Sequence, residues 1–307
     1  MWAYIQIARP DNWFKNIFIL PGILLVFFFY PSSWSLSAVP GLLLAILATC
    51  IVTSSNYVLN ELLDAEKDRQ HPVKRFRPVP SGKVNVIIGY IEWIVLGIVG
   101  AGLGFIVNGR MGVCCLWLWV MGTIYNIPPV RTKDLPYLDV LTESVNNPLR
   151  MAIGWYSTGH DAPPPVSVLL AYWMFGAFLM ATKRFAEYRR IGDPARAAAY
   201  RKSFAVYDEN RLMESLFFYA ALFGMFAGVF MVRYRLELVL ATPLVAYALA
   251  YYLHLGFKPD SPVQYPERLY RQKKLMWIVG VAFSACTVLL FADVPWLEQA
   301  LLPWHGE

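Results

Sequence analysis

Charge is scarce in this chain: Asp, Glu, Lys and Arg together make up 16% of its 307 residues, against 57% hydrophobic. A soluble domain carries charge at about a quarter of its positions, so an ordinary solvated globule is excluded. Histidine and cysteine number four each. His71, His160, His254 and His305 are scattered, and Cys50, Cys114, Cys115 and Cys286 show neither a CxxC nor a Cys/His pairing. Neither a zinc site nor a disulfide framework is signalled, and the cysteines read as packing residues. The net charge of +6 raises nucleic acid as a ligand. The basic residues, however, are divided among loops between apolar runs, which fits membrane topology and an anionic ligand better than DNA or RNA.

What the chain has instead is long apolar stretches. Nine are expected to cross a hydrocarbon core of about 30 Å, over 14 to 30, 37 to 60, 86 to 107, 111 to 127, 138 to 157, 166 to 186, 212 to 232, 237 to 256 and 275 to 292. No small-residue cleavage site follows Phe27, Phe28, Phe29 and Tyr30, so the first is read as a retained span rather than a signal peptide. With nine spans and the N-terminus in the cytosol, 23 of the 27 Lys and Arg fall on the cytosolic side. The sequence therefore predicts a multi-pass protein of the inner membrane with its polar loops in the cytosol and its C-terminus outside.

Charge gathers between Asn60 and Lys83. Asn60, Asp64 and Asp68 lie four apart, so on a helix each is displaced by only about 40° and they line one face about 6 Å apart. Carboxylates at that pitch suit Mg²⁺, which keeps several waters and takes one or two protein carboxylates together with the oxygens of a bound diphosphate. Arg69, Lys74, Arg75 and Arg77 follow at once, among prolines that end the helix.

Further polar groups are spread along the chain. Trp13 and Lys15 precede the first span, as an interfacial anchor or with Lys15 and Asn16 reaching a phosphate. Tyr125, Asn126, Pro128, Pro129, Arg131, Lys133 and Asp134 close the fourth span. Asp139, Glu143, Asn146, Asn147 and Arg150 form a three-and-four stripe on the fifth, facing a cavity or, for Arg150 and Glu143, pairing with each other. Lys183, Arg184, Glu187 and Tyr188 end the sixth, ahead of a loop of some twenty residues with the length of a lid. Arg189, Arg190 and Arg196 are read as topology signal, and His71 as loop packing. Gly100 and Gly104, and Gly224 and Gly228, are small-residue pairs suited to helix contact inside the protein or, less often, to a homo-oligomer.

Asn60xxxAsp64xxxAsp68, with Asp68-Arg69, Arg77-Pro78 and Ser81-Gly82, resembles the first aspartate-rich motif of the UbiA superfamily of intramembrane prenyltransferases. The span count, Tyr125-Asn126 with Pro128, and Lys133 ahead of Asp139 look like the same superfamily. That superfamily usually has a second Asp-xxx-Asp pair after the sixth span, where this chain has Lys183-Arg184-Phe185-Ala186-Glu187. The change looks like the decaprenyl-phosphate phosphoribosyltransferase branch. So do Arg9-Pro10 with Trp13 and Lys15-Asn16, His71-Pro72 with Lys74-Arg75-Phe76-Arg77-Pro78, and Arg201-Lys202-Ser203 with Tyr207. The chain departs from the branch in Glu61, where Asp is usual, and in Asn146-Asn147-Pro148.

The resemblance implies one all-α domain over 1–307, nine transmembrane helices around a central cavity, with motif loops near 61–85, 127–137 and 184–211. It implies Mg²⁺-dependent transfer of phosphoribosyl from phosphoribosyl pyrophosphate to a decaprenyl-like polyprenyl phosphate. Asn60, Asp64 and Asp68 would hold the metal and carry catalysis. Lys15, Lys74, Arg75, Arg77, Lys133, Arg150, Lys183, Arg184, Glu187 and Tyr188 would bind substrate. Such a reaction brings more anion into the site than prenyl transfer does, and the basic replacement after the sixth span fits that load. The competing readings are an aromatic prenyltransferase acting on a quinone or haem precursor, and a transporter of a phosphorylated metabolite.

Overall fold

In hydrocarbon, backbone N–H and C=O groups have only each other, so a chain of apolar runs must satisfy them within helices. The computed structural model describes residues 2–69, 73–265 and 269–301, and among these there are helices and no strand. His71 and Pro72 lie outside the described residues. The α-helices are α1 (Trp2–Ala8), α2 (Leu20–Phe29), α3 (Val39–Arg69), α4 (Val86–Val107), α5 (Gly109–Asn126), α6 (Leu138–Ser144) and α7 (Asn146–Tyr156). They continue with α8 (Val166–Ile191), α9 (Pro194–Tyr200), α10 (Glu209–Tyr234), α11 (Thr242–Gly256), α12 (Lys273–Phe291) and α13 (Pro295–Leu301).

Seven helical stretches among the described residues are long and apolar enough to cross a membrane, where nine spans were expected. The other two differ for local reasons. Helix α5 is 18 residues long and includes Arg110 and Asn126. The fifth expected span is broken at Val145 into α6 and α7. Pro148 has no N–H for the carbonyl of Ser144 and its ring crowds that carbonyl, so the helix cannot run through.

The chain forms two compact units, Met1–Pro164 and Pro165–Glu307. In the first, α3 packs along α4 and also against α5 and α7, while α2 lies on α7. Small residues set these distances. A Cβ on Gly100 of α4 would stand 2.9 Å from the backbone N of Val52 on α3, and one on Gly104 would stand 3.0 Å from Cα of Gly112 on α5. Of the two glycine pairs seen in the sequence, this one is a true helix contact. Around Gly224 and Gly228 nothing lies within 4 Å of an added Cβ.

In the second unit α8 packs on α10 and α11, and α11 on α12. The segment expected as a long lid holds helix α9, N-capped by Asp193 through the Arg196 N–H at 2.7 Å, and a further turn over Lys202–Ala205. Ser203, Phe204 and Tyr207 are buried, so this connection is packed rather than open.

Helix α3 positions the candidate site. Its 31 residues rise about 46 Å. About twenty residues suffice to cross the hydrocarbon. Counted from Val39, the turns from Asn60 onward are thus carried to headgroup level, where charge is tolerated.

Candidate functional site

The first unit gathers acid and base at the end of α3. Asp64 Oδ1 accepts from Arg131 Nη2 at 2.8 Å and from Lys133 Nζ at 2.7 Å. Lys133, only 6% exposed, also donates to Asn126 Oδ1 at 2.9 Å. Asn126 Oδ1 accepts from Asn60 Nδ2 as well, at 2.7 Å, and its own Nδ2 donates to the carbonyl of Gly122. One turn on, the buried Asp68 accepts from Arg77 Nη1 at 2.7 Å and has Lys74 Nζ at 3.9 Å. The two aspartates are therefore each met by two cations, and Asn60 and Lys133 meet on Asn126 Oδ1, with Lys133 carrying the link to Asp64.

Two of these residues were not among the expected site residues. Arg131 was visible as a cation after Pro129, and Asn126 as part of the Tyr-Asn loop. Neither sequence feature shows that the loop after α5 folds back onto α3. Arg131 has φ 27°, and Arg9 and Tyr137 also have positive φ; all three lie in this unit. Such conformations cost on the order of 1–3 kcal/mol each for a residue with a Cβ, and the surrounding structure must hold them.

Other expected residues make contacts of their own. Arg75 is exposed, with its guanidinium over the Phe76 ring. Lys15 Nζ stands 5.9 Å from the Phe14 ring centroid and 5.7 Å from that of Tyr57. Trp13 is 40% exposed yet donates from Nε1 to Ser54 Oγ at 2.9 Å, so it is tied to α3 as well as being an exposed aromatic. Glu61 is buried off the motif face. It accepts from Arg9 Nη2 at 3.1 Å and from the Val79 N–H at 3.2 Å, tying the N-terminal segment and the loop after α3 to the helix. Arg150 donates to Asn16 and Asn147, and no ion pair joins it to Glu143 among the described residues.

The second unit carries its own cluster at the end of α8. Arg184 is buried and meets Glu187 Oε2 through Nη1 at 3.2 Å. Arg201 Nε lies 3.8 Å from the same oxygen. Burial pushes the Tyr200 phenol well above its ordinary pKa, and the nearby Glu187 carboxylate adds to the shift. The ring of Tyr188 meets Phe204 edge-on at 5.7 Å. Arg189 pairs with Glu209, and Arg190 bonds Gln264 and Tyr265, contacts that hold the surface together. Removing Arg184 takes from Glu187 its ion pair at 3.2 Å, the shorter of those to Arg184 and Arg201. Arg184→Met should lower the thermal midpoint by several degrees, since breaking one side of a buried ion pair costs about 3–5 kcal/mol. Differential scanning fluorimetry in detergent would show it.

The oxygen donors on α3 suit a hard cation such as Mg²⁺. Among the described residues no three His, Cys, Asp or Glu side chains form a ready cage. Two carboxylates and one amide would thus supply part of a coordination sphere, which water and substrate oxygens would complete.

Comparison with known proteins agrees with this architecture. The chain is 28% identical over 187 residues to a decaprenyl-phosphate phosphoribosyltransferase of Corynebacterium glutamicum, covering 60% of this chain and 54% of that one. It is 26% identical over 212 residues to the enzyme of the same name from Mycobacterium tuberculosis, covering 68% of this chain and 67% of that one. The match thus spans only about half the length of the Corynebacterium relative. A solved structure of a UbiA homologue from Archaeoglobus fulgidus, bound to GPP and Mg²⁺, superposes with a TM-score of 0.68 at 19% identity, over 94% of this chain and all of that one. Residues 17–268 match the UbiA prenyltransferase family, and the chain, an integral membrane protein, belongs to that family.

Proposed function

We propose that this transferase moves a 5-phosphoribosyl group from phosphoribosyl pyrophosphate to a polyprenyl phosphate, with Mg²⁺. The observation that carries the reading is the pairing of each α3 carboxylate with two cations: Asp64 with Arg131 and Lys133, Asp68 with Arg77 and Lys74. A metal-bridged diphosphate offers both partners at once. The carboxylates would turn to the metal, and the cations would be released to phosphate oxygens. Asn60 Nδ2 is engaged by Asn126, and its amide oxygen would be the atom offered to the metal. Bound Mg²⁺ would neutralise the leaving diphosphate.

The bond broken joins C1 of the ribose to the diphosphate oxygen, and the bond formed joins C1 to a lipid phosphate oxygen, so C1 inverts and pyrophosphate leaves. The attacking oxygen is already anionic at neutral pH, so no strong general base is needed. Lys183 and Arg184 would grip phosphate oxygens, with Tyr188 beside them, and Glu187 would take a metal or a ribose hydroxyl. The basic residues in the place of a second acidic pair, and the names of the relatives above, support phosphoribosyl over prenyl transfer. The reading includes cytosolic motif loops in an inner membrane.

The test is a mass-resolved product assay on purified protein with Mg²⁺. A polyprenyl phosphate that gains one phosphoribosyl mass is the expected product. A prenylated aromatic acid from a prenyl diphosphate, with no phosphoribosyl lipid, overturns the reading.

A further inference from the structure

Arg150 lies on α7 with neighbours that orient it and, among the described residues, no carboxylate in ion-pair contact with it. Its Nε donates to Asn16 Oδ1 at 3.0 Å and its Nη1 to Asn147 Oδ1 at 3.4 Å. Asn16 is buried and held at its other end, donating from Nδ2 to Cys50 Sγ at 3.2 Å and Thr53 Oγ1 at 3.3 Å. Both acceptors on the guanidinium are neutral amides, and its Nη2 makes no hydrogen bond among the described residues. A cation among the helices of a membrane protein with no ion-paired carboxylate is costly, and such charges mark the path or seat of a charged ligand.

A second group beside it is also unsatisfied. Asn146, 7% exposed, has its Oδ1 buried without a partner among the described residues. It precedes Arg150 by four residues on the same helix, so the two share a face. One offers charged donors and the other an empty acceptor. A ligand satisfying both must carry an anion and, close to it, a hydroxyl.

The place is continuous with the metal motif. On α3, positions 50, 53, 57, 60, 64 and 68 fall within a sector of about 80°. Cys50 and Thr53, which hold Asn16, thus lie on the face of Asp64 and Asp68, deeper along the helix. Thr53 is about 16 Å of helical rise below Asp64. A pentose with a diphosphate on C1 and a phosphate on C5 likewise carries charge at two ends.

We propose that Arg150 and Asn146 form the subsite for the phosphosugar end of the donor, Arg150 taking the 5-phosphate and Asn146 Oδ1 accepting from a ribose hydroxyl. The proposal rests on the phosphoribosyl reading above and adds where the sugar is recognised. A lipid phosphate dianion has no hydroxyl and would leave Asn146 unpaired. A prenyl chain has neither group.

The test varies phosphoribosyl pyrophosphate and polyprenyl phosphate separately in steady-state assays. Arg150→Met should raise KM for phosphoribosyl pyrophosphate by at least about tenfold and leave KM for the lipid phosphate within about twofold. Arg150→Lys should recover part of the loss, and Asn146→Ala should raise the donor KM severalfold. The ligand-free Arg150→Met protein should melt close to wild type, because removing an uncompensated charge offsets the donor lost to Asn16 Oδ1. Ribose 5-phosphate should raise the wild-type midpoint and leave that of Arg150→Met unchanged. A lower midpoint with both KM values unchanged makes Arg150 structural, and a rise in the lipid KM alone assigns it to the acceptor; either overturns the proposal. A wild type that makes no phosphoribosyl lipid overturns the reading of function. A wild type that does make it, yet gains no stability from ribose 5-phosphate, overturns the subsite alone.

Discussion

Asp64→Asn is expected to reduce turnover by at least about tenfold while the protein still folds and inserts. Asparagine keeps the volume of the side chain and one acceptor oxygen, so Arg131 and Lys133 retain a hydrogen-bond partner where they now meet Oδ1 at 2.8 and 2.7 Å. Lys133 also keeps Asn126, and Arg131 keeps Asp134 at 3.2 Å. The local frame therefore survives, and what is lost is the charge. A carboxylate replaced by an amide weakens a hard-cation site, and stabilising the leaving diphosphate is worth several kcal/mol of barrier at roughly 1.4 kcal/mol per tenfold in rate. The substitution also leaves Arg131 and Lys133 without the Asp64 charge, so donor binding by charge alone should persist. The loss should fall on kcat more than on KM. Initial rates with phosphoribosyl pyrophosphate over a Mg²⁺ series would measure it, and near-normal turnover would sink the metal role of Asp64.

The α3 motif was legible in the sequence because its period is the helix's own: three oxygen-bearing residues four apart can only share a face. The basic partners were legible as types but not as pairs. Lys74 and Arg77 reach Asp68, whereas Arg75, between them, turns outward over Phe76. In a short turn after a helix, direction changes from one residue to the next and no period predicts it. Lys133 was expected at the site and Asn126 was not, although Asn126 Oδ1 accepts from both Asn60 and Lys133, and Lys133 in turn meets Asp64. Contacts at a separation of more than sixty residues leave no local trace. The broken fifth span has its cause in plain view at Pro148. A hydropathy window averages across such a residue, and so reads one helix where two meet.

Close helix contacts show the same limit from another side. The pairs that looked like packing motifs were Gly100 with Gly104 and Gly224 with Gly228, and only the first is enclosed. The tightest crossing lies elsewhere, between α2 and α7. A Cβ on Gly22 would fall on the carbonyl oxygen of Met151 and stand 2.9 Å from the Trp155 nitrogen. One on Gly154 would meet the carbonyl of Ile19. Each helix thus presses its glycine against the backbone of the other segment, a relation invisible in either stretch alone.

Gly22→Ala should accordingly be the most damaging single methyl in the first unit. The atoms it meets are backbone, which cannot rotate aside as a side chain can, so the two helices must part. Overpacking that moves backbone costs about 1–3 kcal/mol and occasionally more, against a gain of at most about 1 kcal/mol from replacing glycine within a helix. The displacement would also fall on function. The segment before Gly22 carries Asn16 and α7 carries Arg150, so moving one from the other lengthens their 3.0 Å hydrogen bond. The useful comparison is Gly228→Ala on α10, where the added methyl meets nothing and only the propensity gain remains. Thermal melts of the two variants in one detergent should separate, Gly22→Ala falling several degrees or failing to yield monodisperse protein, and Gly228→Ala matching wild type or rising slightly. Equal midpoints would mean that the α2 and α7 backbones can separate at little cost, and the close approach of Gly22 to Met151 would then not be what holds Arg150 to Asn16.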